Sequence, residues 1–444
     1  MSSIPEQYEL AHRFYQSLKA AEQVTPSQLV SHQREVATTF LQHVDANVPF
    51  YRERLAPIRR PDGTYDFERW HEIPVLTKED LVSNAQALRA RNVPEAHGKI
   101  VYAQSSASTG VPLRIPNTQL CGMAVACASW RHLENHRIDW SYDLAMIRAM
   151  STEPPRYNRP DASGERWGPD WLPAEDRGRR HHLSISHNPK FQLNWLAELG
   201  PVYVNTLPSN ILRLARAAAE FDAELPQIKG LLSVGERVDE DLRHQARTYL
   251  KAEIVDVLAT SECGTLANQC PVSGGYHLLS ELAIVEAIAE DGTPAGSGGL
   301  GRIVATPLFN LAMPLIRYQS DDYVRLAPEP GGSGRPAPLI ETILGRRSEL
   351  FTFADGSFGP LALSSEEMAK HLGPCRWQVV QTGEATAELR YMPRTDTPSP
   401  APDDAADYVR SLVGQEIKVT CRPVPALGPG FGGKFPQVRN ETVG

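Results

Sequence analysis

The sequence predicts an α/β protein in two parts. A large N-terminal domain of helix-covered sheets is expected over residues 1–345, followed by a small, mobile α+β domain over residues 346–444. Three observations predict this. A chain of 444 residues exceeds the size at which one hydrophobic core stops growing. Between residues 201 and 262, strand-like and helix-like runs alternate, as in a parallel sheet covered by helices. After Gly345-Arg-Arg-Ser-Glu349, which reads as a hinge, the composition shifts to short elements broken by a low-complexity run at 395–404.

Composition narrows the function classes. The net charge of −8 argues against general nucleic-acid binding. No uncharged apolar run is long enough to cross a membrane and no leader with a cleavage site is visible, so a cytoplasmic protein with no membrane partner is expected. Six thinly spread cysteines (Cys121, Cys127, Cys263, Cys270, Cys375 and Cys421) read as free thiols.

Taken in order, residues 1–45 carry apolar positions at helical spacing, with Thr25 capping and Pro26 opening a second helix. Thr77 is a cap for a short helix, and Ile100-Val-Tyr-Ala103 reads as a strand. Residues 120–133 form an apolar helix ending in Trp130-Arg131-His132. Residues 151–182, rich in Pro, Gly, Arg and Asp, read as a surface excursion whose end, Arg179-Arg180-His181-His182, is a solvated cationic run or an anion contact. Strands follow at 201–205, 230–234 and 253–258, with helices at 210–220, capped by Ser209, and at 239–250. Residues 299–307 and 313–324 add two strands, the second with paired acids at its end.

Three stretches carry chemistry. Residues 105–112, Ser-Ser-Ala-Ser-Thr-Gly-Val-Pro, follow a strand and offer the hydroxyls of Ser105, Ser106, Ser108 and Thr109 beside Gly110. Backbone N–H groups and hydroxyls in such a turn can converge on an anion, although no Gly-Lys-Ser/Thr closes it as in a P-loop. In helix-covered parallel sheets, ligands gather beyond the carboxyl ends of strands. Here Val234 runs into Gly235-Glu236-Arg237, and Leu258 runs into Ala259-Thr260-Ser261-Glu262. A carboxylate there is a metal ligand or a helix cap. Cys263 and Cys270 lie near His277, close enough in sequence to raise a metal site.

Together these pieces resemble the adenylate-forming ligase superfamily, and within it the phenylacetate–CoA ligase/capsule-biosynthesis branch. The resemblance covers nearly the whole chain. Phe50-Tyr-Arg52 and residues 73–81 resemble the N-terminal signature of that branch, and residues 105–113 its phosphate loop. Gly235-Glu236 matches its acid-bearing strand end, Ser261-Glu262 its Thr-Glu pair, and Arg317-Tyr-Gln-Ser-Asp-Asp322 its Arg-Tyr-x-Thr-x-Asp. Gly345-Arg346 matches the hinge and Gly433-Lys434-Phe435 the terminal lysine motif.

The resemblance implies that a carboxylate attacks the α-phosphate of ATP, releasing pyrophosphate and leaving an acyl-adenylate. Glu262 would hold Mg²⁺, the hydroxyls at 105–109 would cradle phosphates, and Asp322 with Arg346 would hold the ribose. Lys434 would stabilise the reacting centre once the small domain swings in, and a rotation about Ser348 would admit the acceptor. Coenzyme A is the first acceptor, giving a cytoplasmic acyl-CoA synthetase. An amine or a carrier-protein thiol, as in specialised metabolism, is the alternative, and a non-catalytic nucleotide-binding relic is the third reading. The oligomeric state is left open, a homodimer included.

Departures from the pattern weaken nucleotide affinity rather than abolish it. Ala107 replaces a glycine, Val111 stands where lysine is common, and Leu258 takes the place of the aromatic residue that stacks on adenine. Cys270 and His277 match half of a structural zinc site, but Gly331 to Arg335 lacks the two thiols of the other half, so zinc is not expected even with Cys263 as a third ligand. The acyl pocket is expected between the helix at Trp130 and His132 and the strand ends at 234–238 and 258–260, where small Ala259 and Thr260 favour an aromatic or cyclic acid.

Overall fold

Thr25 sets the first corner of the chain. Its hydroxyl accepts from the Gln28 amide while Gln28 Oε1 accepts from the Thr25 amide at 2.8 Å, and Pro26 supplies a pre-set φ at the first helical position. A computed structural model describes residues 4–104, 114–149, 165–221, 227–328, 334–373, 375–393, 401–427 and 435–443. The chain divides into two compact units. The first is Met1–Ser141, Arg166–Gly178 and Val255–Ile343; the second is Tyr142–Glu165, Arg179–Ile254 and Leu344–Gly444. The segment expected to form the small domain therefore lies wholly within the second unit.

The first unit opens with helices α1 (Glu9–Ala20), α2 (Pro26–Asn47), α3 (Tyr51–Arg54) and α4 (Lys78–Ser83). A two-stranded ribbon, β1 (Ile100–Gln104) and β2 (Arg114–Thr118), leads to α5 (Gln119–Asn135). Numbering along the chain, its sheet is built from β7 (Ile254–Thr260), β8 (Gly264–Gln269), β9 (Tyr276–Leu278), β10 (Ala283–Ile288), β11 (Leu300–Pro307), β12 (Tyr318–Leu326) and β13 (Leu339–Arg346). The strands lie in the order β10-β11-β12-β13-β9-β8-β7. Phe40, Leu41, Val44 and Tyr51 bury against Ile303, Met313, Leu315 and Ile316 in its main core.

The second unit holds four strands, β3 (Asp143–Arg148), β4 (Arg180–Ser184), β5 (Val202–Thr206) and β6 (Ile228–Val234), in the order β6-β5-β3-β4. The described pairings β3–β4, β3–β5 and β5–β6 are parallel. Helices α6 (Pro189–Leu199), α7 (Pro208–Phe221) and α8 (Glu240–Gln245) supply Leu193, Leu196, Ile211, Leu214 and Leu242 to the core shared with these strands. Beyond Leu344 come a ribbon, β14 (Phe351–Thr352) and β15 (Phe358–Gly359), and helices α9 (Ser365–Leu372) and α10 (Pro402–Val413). A four-stranded sheet of β16 (Trp377–Gly383), β17 (Thr386–Tyr391), β18 (Lys418–Pro423) and β19 (Val438–Asn440) runs in the order β18-β17-β16-β19. This is the α+β arrangement expected after residue 345.

The structure corrects several expectations. The parallel order does not continue past β7, which turns back through three residues into antiparallel β8, pairing Thr260 with Gly264. Three residues suffice for a hairpin, whereas a parallel crossover needs a dozen or more. The strand expected at 313–324 begins only at Tyr318, because Arg317 takes φ +51°. The paired acids Asp321 and Asp322 thus lie within β12, not at its end. The basic run at 179–182 is only partly solvated: Arg179 is exposed, Arg180 and His182 are half-buried, and His181 is buried. It enters β4, and the buried His181 ring nitrogen Nε2 lies 2.7 Å from Asp143 Oδ2. Helix α7 begins at Pro208, and Ser209, expected as its cap, donates to Glu236 instead. Strand β3 and helix α6 have no counterpart in the reading of the sequence.

Candidate active site

In the second unit, β6 ends at Val234 and the chain turns at Gly235 with φ +90°, a conformation that favours glycine. The turn presents the Glu236 carboxylate, which accepts from Ser209 N at 2.8 Å, Ser209 Oγ at 3.1 Å and Phe435 N at 3.3 Å. Glu236 thereby ties the start of α7 to the residue that follows Lys434 in the sequence. Arg148 lies close enough for the Glu236 charge to hold its proton, although burial pushes its guanidinium down to about 10.

Glu236 lines a cavity of about 680 Å³ formed within this unit. Its walls come from the end of β4, from α7, from the turn after β6 and from residues beyond Leu344. Asp239 caps α8 through the Leu242 amide at 2.9 Å and accepts from Arg237 at 2.9 Å. Asp241 accepts from the Ser365 amide at 2.9 Å; burial raises its pKa and the Ser365 bonds oppose the rise. Gly345 takes φ +100°, and a Cβ there would lie 3.3 Å from Glu349 Oε2. Arg346 is half-buried at the end of β13, and Ser348 is exposed in the next turn.

The first unit holds the other expected site residues. Ser261 and Glu262 form the tip of the β7–β8 hairpin, where the Cys263 amide donates to Thr260 Oγ1 at 3.0 Å and Gly264 closes the turn at φ +76°. Ser261 is exposed; Ala259, Thr260 and Glu262 are half-buried. Asp322 is half-buried on β12, its amide 3.1 Å from Ser320 Oγ. Leu258, at the position expected to face adenine, is buried in the main core of this unit. Trp130 packs edge-on to Trp171 at 5.0 Å, within an aromatic cluster that includes Tyr15. His132 is 3% exposed beside His136, at 4.7 Å between rings, and burial first, then the charges of His136, Arg335 and Arg131, hold its pKa well below the usual histidine value.

The residues singled out for zinc have partners of their own. His277 turns Nδ1 toward the carbonyl of Ala337 at 3.2 Å, and Cys263 is buried in the main core. Arg335, in the segment where the resemblance puts zinc thiols, pairs with Glu22 at 3.4 Å. Among the described residues no group of three or more His, Cys, Asp or Glu side chains converges. A tetrahedral structural zinc needs four ligands, and these residues do not fit one.

Ser105, Ser106, Ala107, Ser108, Thr109, Gly110 and Val111 lie outside the described residues, as does Lys434. Reading the sequence missed Arg213, Arg216 and Arg376, all of which line the cavity. A signal was available for the first two, since a spacing of three residues puts them on one face of α7.

No protein-family model matches the chain. It is 25% identical over 341 residues to a phenylacetate–coenzyme A ligase from Pseudomonas putida, covering 72% of this chain and 71% of that one. It is 24% identical over 348 residues to the Escherichia coli (strain K12) protein of the same name, covering 75% of each. Among solved structures it resembles 2-hydroxyisobutyryl-CoA ligase in the postadenylation state with R3-HIB-AMP. That match has a TM-score of 0.71 and 18% identity, over 93% of this chain and 89% of the other. The same ligase in its thioesterification state, with 2-HIB-AMP and CoA, matches with a TM-score of 0.58 and 18% identity over 93% and 89%. The fold is that of the adenylate-forming ligases. In sequence the chain resembles the two phenylacetate–coenzyme A ligases.

Proposed function

We propose that the protein is an AMP-forming carboxylic acid ligase that makes an acyl-adenylate from ATP and transfers the acyl group to coenzyme A. One observation carries the reading: the adenylate-forming fold coincides with sequence similarity to two phenylacetate–CoA ligases over about three-quarters of the chain. The motifs singled out in the sequence stand in the order that the resemblance implies.

In this reading, residues 346–444 work as a domain hinged at 346–349, where Gly345 has a conformation open to few other residues and Ser348 is exposed. Lys434 holds the substrate carboxylate against the ribose, and Asp322 and Arg346 hold the ribose hydroxyls. Gly235 and Glu236 are assigned to nucleotide binding by the resemblance, and the loop hydroxyls of Ser105, Ser106, Ser108 and Thr109, with Gly110, bind phosphate oxygens. Ser261 flanks Glu262, which would hold Mg²⁺. A single half-buried carboxylate fits that ion, which usually takes one or two protein carboxylates and substrate phosphates rather than a cage. The ion would neutralise charge building at the α-phosphate. Ala259 and Thr260 line the acyl pocket, for an aromatic or cyclic acid. Trp130 and His132 support that pocket from α5.

The deciding experiment is acid-dependent ATP–pyrophosphate exchange across a panel of aromatic and aliphatic acids, followed by addition of coenzyme A. Exchange that vanishes in Glu262→Ala, with thioester formed on adding coenzyme A, is the expected result. Exchange without thioester, but with product on adding amines or carrier proteins, would replace the acceptor. No exchange with any acid, despite ATP binding, would favour the non-catalytic relic.

A further inference from the structure

The second unit holds two apolar cores. One is drawn from residues 145–254, around the parallel strands, and the other from residues 351–438; among the described residues they share no member. Both contribute walls to the cavity of about 680 Å³, and polar contacts cross from one to the other. A junction within a chain that is polar and open in this way permits relative motion.

One set of these contacts is built on α9. Ser364 Oγ accepts from the Glu367 amide at 3.2 Å, so the Ser365 amide, at the first helical position, needs an acceptor from outside the helix. Asp241, on α8, accepts from it at 2.9 Å, a carboxylate at the end of the helix where the macrodipole favours one. Arg216, on α7, donates to Ser365 Oγ at 3.2 Å and faces the Trp377 ring at 5.8 Å. Burial lowers the pKa of Arg216, and the charge of Asp241 is the first to oppose it. His244, three residues after Asp241 and so on the same face of α8, lies 3.2 Å from Glu366.

The end of the chain makes the other contact, between the Phe435 amide and Glu236 at 3.3 Å. Behind that bond Phe435 is tied to its own core. Arg376 lies over its ring at 4.2 Å, and Gln378 holds the Pro436 carbonyl at 2.8 Å. That core also contains Met368 and Leu372 of α9. Where α9 is seated on α7 and α8 therefore sets where Phe435 lies against Glu236.

We propose that Asp241 and Ser365 are positioning residues, whose bond seats residues 346–444 so that Phe435, with Lys434 before it, is presented at Glu236 for adenylate formation. The inference rests on the ligase reading for the step that is served. In that reading the segment leaves this seat when the chain rotates at Ser348 to admit the acceptor. Loss of the seat thus acts on adenylate formation and not on transfer.

The test separates the two steps and also reads the seat without catalysis. Adenylate formation is followed by acid-dependent ATP–pyrophosphate exchange. Transfer is followed by thioester formation from coenzyme A and a chemically prepared adenylate of the acid that supports exchange. Asp241→Ala is expected to lower exchange about 10-fold, in kcat rather than in KM for ATP, with transfer no slower than in wild type. Asp241→Asn keeps an oxygen for the Ser365 amide and should fall nearer to wild type. Ser365→Pro deletes the donor at a position where proline suits a helix, and Ser364, at ψ 122°, suits a following proline; it should match Asp241→Ala. Equal losses in both steps, or unchanged exchange in Asp241→Ala, would overturn the positioning role.

Hydrogen exchange decides the seat itself. In Asp241→Ala the Phe435 amide should lose protection while amides of β5 and β16, one strand in each core, keep theirs. Unchanged protection at Phe435 would overturn the proposal, as would a loss spread through both cores, which marks a purely structural residue. Failure of acid-dependent exchange in wild type strikes the ligase reading, and the amide measurement then stands or falls on its own.

Discussion

Two sets of arginines, one in each unit, have contrasting surroundings. In the first, Arg131 is 5% exposed and pairs with Glu281 and with Glu22 at 3.4 Å, while Arg335 shares Glu22. Arg317, 3% exposed, grips Glu286 with Nε at 2.9 Å and Nη2 at 3.0 Å, and also donates to the carbonyls of His71 and Ile73. In the second unit, Arg213, Arg216 and Arg376 line a cavity together with Glu236, Asp239, Asp241 and Glu349, and hydrogen bonds and rings hold them: Arg213 donates to Asn210, Arg216 to Ser365, and Arg376 lies over Phe435. A buried charge that is paired locks the chain at one point. A charge held by hydrogen bonds and rings beside a cavity is not locked in that way. The same side chain thus closes ion pairs in one unit and lines a cavity in the other.

That contrast can be broken or sharpened. The largest effect is expected at Lys434, in the segment just before Phe435. Lys434→Ala should lower acid-dependent exchange by about 100-fold or more while leaving the melting curve unchanged, because a donor aimed at developing charge acts on rate and not on the fold. Retained activity would remove its assigned role. Arg317→Ala should do the reverse. Leaving the half-buried Glu286 without its cation, with only the Trp70 indole N–H as a donor, is expected to cost about 3 kcal/mol in urea unfolding, with nucleotide affinity of the folded fraction intact. A loss of nucleotide affinity without a loss of stability would dissolve the comparison.

A pH effect of intermediate size is expected from the buried histidines. Burial holds the pKa of His132, and that of His277, below the unfolded value of 6.5. The unfolded chain then binds the extra protons. Stability is complete above that value and falls as the pH drops below it, by about 1.4 kcal/mol per pH unit for each histidine kept neutral. Denaturant titrations between pH 7.5 and 5.5 should show this slope, and His132→Gln should make it shallower; an unchanged slope would remove His132 as a contributor. The smallest effect is expected at Thr25→Ala, which loses the cap of α2 and about 1 kcal/mol of stability, with activity unchanged.

Much of the architecture was legible because its causes are local. The Thr25 and Thr77 caps, the apolar period of α5 and the alternation from β5 to β7 depend on neighbours a few residues away, and the structure has each. Strand β4 was hidden because His181, polar by type, is buried through its contact with Asp143, 38 residues away. The hairpin at Ser261-Glu262 looked like the end of a parallel strand because the direction of the next strand is a matter of pairing, not of composition.

The candidate site divides the same way. Strand-end position singled out Glu236 and Glu262, and the resemblance to a ligase family assigned Asp322, Arg346 and Lys434, since a motif needs only short-range order to be visible. Only tertiary structure brought the Phe435 amide to Glu236 across 199 positions, buried Leu258 in a core, and gathered arginines from two distant segments around one cavity. Sequence determined which groups are available and which local elements carry them. Tertiary structure decided which charges are paired and which line a cavity, because that depends on distances between residues far apart in the chain.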